Sequence, residues 1–222
     1  MSSAEQPRYI VVEGPIGVGK TSLCRRLADH LGAETLLEQA EDNPFLERFY
    51  QNPRHAALPT QLFFLFQRVR QLQDLRQSDM FAAPTRVADF LMEKDRLFAQ
   101  VTLDDDEFRL YEQVYSSVTL DVPQPDLVIY LQAPVATLME RVNRRGRKVE
   151  RFIESAYLEK LSDAYTRYFY YYNDAPLLIV NAADIDLVNS QQDFELLLER
   201  ITQIKSGRHY FNPAPFSDTR SG

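Results

Sequence analysis

Tyr9-Ile10-Val11-Val12-Glu13-Gly14-Pro15-Ile16-Gly17-Val18-Gly19-Lys20-Thr21 is the stretch that decides the fold. Its first five residues are an apolar, β-branched run of the kind that forms a buried strand. The next eight fit G-x-x-x-x-G-K-[ST]. From Lys20 onward leucines recur four apart at Leu23, Leu27 and Leu31, until Gly32 ends the pattern. Strand, glycine turn and helix in that order are the setting in which this pattern cradles phosphate. The glycines let backbone N–H groups turn inward, and the helix N-terminus adds its positive dipole end. Residues Gly14 to Ser22 are therefore the expected phosphate site for ATP or GTP. Lys20 is expected to reach the β- and γ-phosphates, and Thr21 to ligate Mg²⁺. The motif does not name the reaction.

Outward from this stretch, apolar runs at 35–37, 86–89, 127–131 and 177–180 predict four more strands. A short helix is expected to open at Asn43-Pro44, with proline in its first position. Longer helices are expected over 58–78, over 95–118 with a break near Leu103-Asp104, from Pro134, over 155–173 and over 191–205. Strands alternating with helices predict an α/β fold, a parallel five-stranded sheet with helices on both faces. One domain is expected over residues 1–206, and a loose tail over 207–222. Ligands of such sheets sit beyond the carboxyl ends of the strands.

The 222 residues are 45% hydrophobic and 26% charged, which suits one globular domain and excludes a collagen, a coiled coil or a disordered chain. Cys24 is the only cysteine, so no intrachain disulfide forms. The net charge of −7 weighs against a nucleic acid polymer as partner. No apolar run approaches the ~20 residues that cross a bilayer, and Met1 to Pro7 has no signal-peptide pattern. A cytoplasmic protein with no membrane partner is expected.

Two groups of residues carry the expected chemistry. Arg141, Arg144, Arg145, Arg147, Lys148 and Arg151 fall within eleven residues. Beside a phosphate loop they read as an arginine-rich lid, about 144–151, that closes on a transferring phosphoryl group. Glu38 and Asp89 follow the second and third strands, so both belong at the ligand edge of the sheet. Phosphoryl transfer to a hydroxyl needs one carboxylate near the acceptor and one near the metal. The sequence leaves open which acid does which. Gln61 and Arg68, seven apart on the long helix beside Phe64 and Leu65, form a face able to read a nucleobase edge. Tyr165, Tyr168, Phe169 and Tyr172 share a helix face that reads as core.

These residues resemble the deoxyribonucleoside kinase family, in particular its bacterial deoxyadenosine and deoxyguanosine kinase branch, from Tyr9 to about Leu198. The resemblance implies a P-loop kinase fold and ATP- and Mg²⁺-dependent phosphorylation of the 5′-hydroxyl of a purine deoxynucleoside. It implies Glu38 as general base, Tyr50 and Glu150 on the sugar 3′-hydroxyl, and Gln61 on the base edge. It places Arg68 and Asp95 near the base, Arg145-Gly146-Arg147 in the lid, and 181–186 near the ATP adenine. Asp89 remains as metal ligand or alternative base. A homodimer is implied as well. One departure stands out: the family follows its third-strand acid with arginine and serine, and here the run is Asp89-Phe90-Leu91. Arg141 or Arg145 is expected to cover part of that arginine's role. Phe98 fits the family's base-stacking aromatic only with a one-residue deletion. A nucleoside monophosphate kinase and a non-catalytic nucleotide-binding module remain the other readings.

Overall fold

A computed structural model describes residues 7–78, 84–119 and 123–212. β1 (Tyr9–Glu13) has Ile10, Val11 and Val12 fully buried, as a strand covered on both faces requires. α1 (Lys20–Leu31) leaves the phosphate loop at Gly19 and stops on left-handed Gly32. Then follow β2 (Glu34–Leu36), α2 (Leu46–Gln51), α3 (Pro53–Ser78), β3 (Arg86–Ala88), α4 (Glu93–Thr102) and α5 (Asp105–Val118). β4 (Leu127–Gln132), α6 (Val135–Arg145), α7 (Ser155–Tyr171), β5 (Leu177–Asn181), α8 (Gln191–Gln203) and β6 (Arg208–Phe211) complete the described residues. The sheet runs β2-β3-β1-β4-β5-β6 with every pair parallel. β1 is thus central, and the phosphate loop leaves the middle of the sheet.

Three expectations need correction. Among the described residues the sheet has six strands rather than five, because β6 pairs with β5 from Leu177↔Arg208 to Val180↔Phe211 where a loose tail was expected. An edge strand buries only one face, so Arg208-His209-Tyr210-Phe211 lacks the apolar run that marks the other strands. The Arg208 guanidinium also ties it to the end of α7, donating to the Phe169, Tyr170 and Tyr172 carbonyls. Residues 213–222 of the expected tail lie outside the described residues. The long helix begins at Pro53 rather than 58, with proline in the favoured first position. The short helix begins at Leu46 and not at Pro44. Asn43 instead folds back, its Oδ1 accepting from the Phe45 N–H at 3.0 Å and its Nδ2 donating to the Thr60 carbonyl at 3.1 Å. The side chain of Leu75, which the apolar stripe of α3 includes, lies outside the described residues.

The main core packs both sheet faces. A second apolar cluster joins Leu65, Val69 and Leu72 of α3 to Phe90, Ala99 and Tyr111. The aromatic face of α7 is core as expected: Tyr165 and Phe169 are buried and stack on Tyr130. The phosphate loop lies hard against β4, where a Cβ at Gly14 would stand 2.4 Å from the Leu131 carbonyl oxygen at φ +147°.

Glu13, at the end of β1, is a buried acid with three donors. The Gly14 N–H (2.9 Å) and the Tyr165 hydroxyl (2.9 Å) meet one oxygen, and the Leu91 N–H (2.8 Å) meets the other. One carboxylate thereby joins the phosphate loop, the β3–α4 junction and α7. In Glu13→Gln an amide N–H₂ must face one of these donors, and a buried group left unsatisfied costs about 1–3 kcal/mol. Urea unfolding should show a loss of that size, with the slope of the transition unchanged.

Candidate active site

At the carboxyl edge of the sheet the ends of β1, β2 and β3 open onto one cleft. Its empty space is about 1060 Å³, including the solvent mouth. One wall is the phosphate loop with Ile16, Gly17, Lys20 and Thr21. The floor carries Glu38, Asp89 and Lys94, the far wall Tyr50, Gln61, Phe64, Arg68 and Phe98, and the rim Arg145, Arg147 and Glu150.

The loop is shaped by its own backbone. Gly19 sits at φ +106° with open space around it, so a phosphate can approach the backbone there. The Lys20 ammonium donates to the Gly14 carbonyl at 2.8 Å and the Pro15 carbonyl at 3.1 Å. Burial pushes Lys20 down to about 8, and the nearby Lys94 ammonium adds to the drop against Glu13, Glu38 and Asp89. Val18 is buried beneath the loop, and Ser22 is exposed one residue beyond Thr21.

The two candidate acids have different surroundings. Asp89 Oδ2 accepts the Thr21 hydroxyl at 2.5 Å, and Oδ1 accepts the Glu38 backbone N–H at 2.7 Å. Asp89 thus faces the phosphate side of the cleft. Glu38 faces the acceptor side, with Arg68 Nη2 at 2.5 Å from Oε1 and Lys94 Nζ at 2.5 Å from Oε2. Burial alone would push the Glu38 carboxyl up. The Arg68 guanidinium and the Lys94 ammonium outweigh it and hold the group at about 2. Arg68 also pairs with Asp95, which lies behind it and is fully buried. Burial pulls Arg68 toward its neutral form, but Asp95 and Glu38 prevail and hold its charge. Its guanidinium lies 5.2 Å from the centre of the Phe64 ring and 5.6 Å from that of Phe90.

Of the residues singled out from the sequence, Glu38, Tyr50, Gln61, Arg68, Asp89, Arg145, Arg147, Glu150, Lys20 and Thr21 meet in this cleft. Tyr50 packs its ring on Phe49 and Tyr157. Gln61 Nε2 donates to Thr102 Oγ1 at 3.2 Å. Arg145 grips Glu150 at 3.0 and 2.6 Å. Arg147 lies 3.6 Å from Glu41 and 3.8 Å from Glu150.

Arg141 does not line the cleft. Its guanidinium donates to the Val18 carbonyl at 3.3 Å and the Ala182 carbonyl at 2.7 Å, bracing the phosphate loop against the chain after β5. Nor does Phe90, whose side chain is fully buried in the second cluster. Beside Arg68, the second cation on Glu38 comes from Lys94, which no motif or spacing singles out. The available signal is its place in the first turn of α4, where a lysine opposes the helix dipole. Thr102, the partner of Gln61, gives no signal at all.

A sequence model of the deoxynucleoside kinase family matches residues 10–205. The chain is 33% identical over 200 residues to a deoxyguanosine kinase of Bacillus subtilis, covering 88% of this chain and 97% of that one. It is 27% identical over 202 residues to a deoxyadenosine/deoxycytidine kinase of the same organism, covering 88% and 92%. Among solved structures it resembles the deoxyadenosine kinase of M. mycoides with bound dATP. That match has TM-score 0.75 and 26% identity, and covers 87% of this chain and 99% of the other.

The pairing of Glu38 makes stability depend on acid. Its carboxyl is held at about 2 in the folded chain against an ordinary 4.5. The stabilisation is complete above the ordinary value and drains away as the pH falls toward the folded one. Between about pH 5 and pH 2 the protein should lose up to about 3 kcal/mol that Glu38→Gln does not lose. Urea midpoints of the two proteins across that range measure it.

Proposed function

The chain belongs to the deoxynucleoside kinase family, and on that premise we propose that it phosphorylates the 5′-hydroxyl of a purine deoxynucleoside from ATP. The observation that carries the reading is one cleft with a phosphate loop on one wall and, across from it, the Glu38 carboxylate beneath Tyr50 and Gln61. The donor's phosphates lie along the loop from Gly14 to Ser22, on its backbone N–H groups from Ile16 onward, with Lys20 on the β- and γ-phosphates. Gln61 meets the base edge, with Arg68 and Asp95 beside it and Phe64 and Phe98 as apolar walls. Tyr50 and Glu150 hold the sugar 3′-hydroxyl. Glu38 accepts the 5′-hydroxyl proton, and the arginines at 145 and 147 close on the transferring group.

Thr21 and Asp89 turn their oxygens toward each other, a hard-donor pair that suits Mg²⁺ completed by phosphate and water. These two side chains would hold the ion, which when bound neutralises charge on the β- and γ-phosphates. On this reading Asp89 serves the metal and Glu38 the proton. A monophosphate acceptor is poorly served here, because Arg68 already balances Asp95 and Glu38.

Among the described residues no helix is long and apolar enough to cross a membrane. A cytoplasmic homodimer is part of the same reading. Phe66 on α3 and Leu110 on α5 are exposed apolar residues that a helical interface would cover. Light scattering should give twice the 25.8 kDa of the chain, and a single-chain mass refutes the dimer.

The activity is tested with Mg-ATP and a panel of the four natural deoxynucleosides and their 5′-monophosphates, with Lys20→Ala as blank. Deoxyadenosine or deoxyguanosine should be converted and the monophosphates left unchanged. Turnover of a monophosphate alone would overturn the acceptor-site assignments of Tyr50, Gln61 and Glu150.

A further inference from the structure

As a proton acceptor, Glu38 has a difficulty in its own geometry. Each of its oxygens meets a cation, and a carboxylate so paired is a weak base. One cation has to leave for the acid to take a proton well. Arg68 is fixed: Asp95 binds it from behind, and Phe64 and Phe90 flank its guanidinium. Lys94 is not fixed in this way. It is buried, its ammonium lies 5.5 Å from the centre of the Phe98 ring, and among the described residues Glu38 is its one hydrogen-bond partner. A lysine stem has four rotatable carbons and a compact charge, so its ammonium can change partner without moving the helix. It also stands near enough to Lys20 for each charge to be felt by the other. Two ammonium groups facing the same cleft, Lys94 buried and Lys20 half-buried, are relieved by an anion between them.

We propose that Lys94 is a catalytic cation that pairs with Glu38 in the free enzyme and passes to the γ-phosphoryl group of the donor when both substrates are bound. The proposal rests on the kinase reading above. The transfer frees Glu38 Oε2 for the 5′-hydroxyl. The 5′-oxygen then bonds the γ-phosphorus, and the bond from that phosphorus to the β,γ-bridging oxygen breaks, its electron pair leaving with ADP. The hydroxyl proton goes to Glu38. One lysine thereby keeps the acid paired in the free enzyme and stabilises the phosphoryl group during transfer.

Lys94→Met keeps the stem and removes the charge. Turnover should fall by at least ~100-fold, the scale for losing one group that stabilises the transferring charge, with KM for the deoxynucleoside changed less than about threefold. Calorimetry with deoxyguanosine present separates a catalytic from a structural role. The variant should bind ADP within about twofold of wild type and bind adenylyl imidodiphosphate at least ~10-fold more weakly, because only the latter has a γ-phosphoryl group. Turnover within threefold of wild type, or equal weakening of both nucleotides, would overturn the proposal. If Lys94→Met does not fold, Lys94→Gln is read by the same two measurements. A wild-type enzyme inactive on every deoxynucleoside would sink the kinase reading instead, and the binding comparison would still decide the role of Lys94.

Discussion

A half-buried carboxylate held between two buried cations is the constraint on which the acceptor end of the cleft depends. Glu38 comes from the chain after β2, Arg68 from α3 and Lys94 from α4, so one acid joins three elements. Removing any one partner leaves a buried charge uncompensated, which is why such clusters hold their geometry. The same arrangement fixes the Arg68 guanidinium beside Gln61, at the wall assigned to the base.

A second tie joins the acceptor end to the donor end. Asp89 receives the Thr21 hydroxyl with one oxygen and the Glu38 backbone N–H with the other. Any movement of the phosphate loop therefore reaches Glu38 through the Asp89 side chain. Beneath it Glu13 fastens the start of the loop to the chain after β3 and to Tyr165 of α7. Arg141 braces the loop from the other side through Val18 and Ala182. The loop is held by two charged residues that need not touch a nucleotide themselves. Catalytic groups held by supporting bonds of this kind stay within the narrow tolerance that phosphoryl transfer demands.

The sheet order was not legible, but its strands were where they are apolar on both faces. β1, β4 and β5 are continuous apolar runs and stand out in the sequence. β6 did not, because an edge strand half exposed to water needs no such run. In the site, motif and spacing found the residues assigned to ligand contact: the phosphate loop, Glu38, Gln61 and the lid. The residues that answer to a neighbour were not visible. Lys94 is defined by a partner 56 positions away, and Glu13 by donors at 91 and 165. Arg141 was visible as a charge, yet its true partners are backbone carbonyls, which leave no mark in a sequence. The departure at Phe90 is visible in the sequence, but nothing there marks Lys94, four residues later in the first turn of a helix, as the second cation on Glu38.

The central claim is that Glu38 takes the proton while Asp89 serves the metal side, and the steady-state kinetics of Glu38→Gln test it most directly. The account predicts a fall in kcat of about 10²–10⁴-fold, the range for a lost general base, with KM for ATP within about threefold of wild type. An unchanged kcat with a raised KM for ATP would contradict it and assign the proton to Asp89.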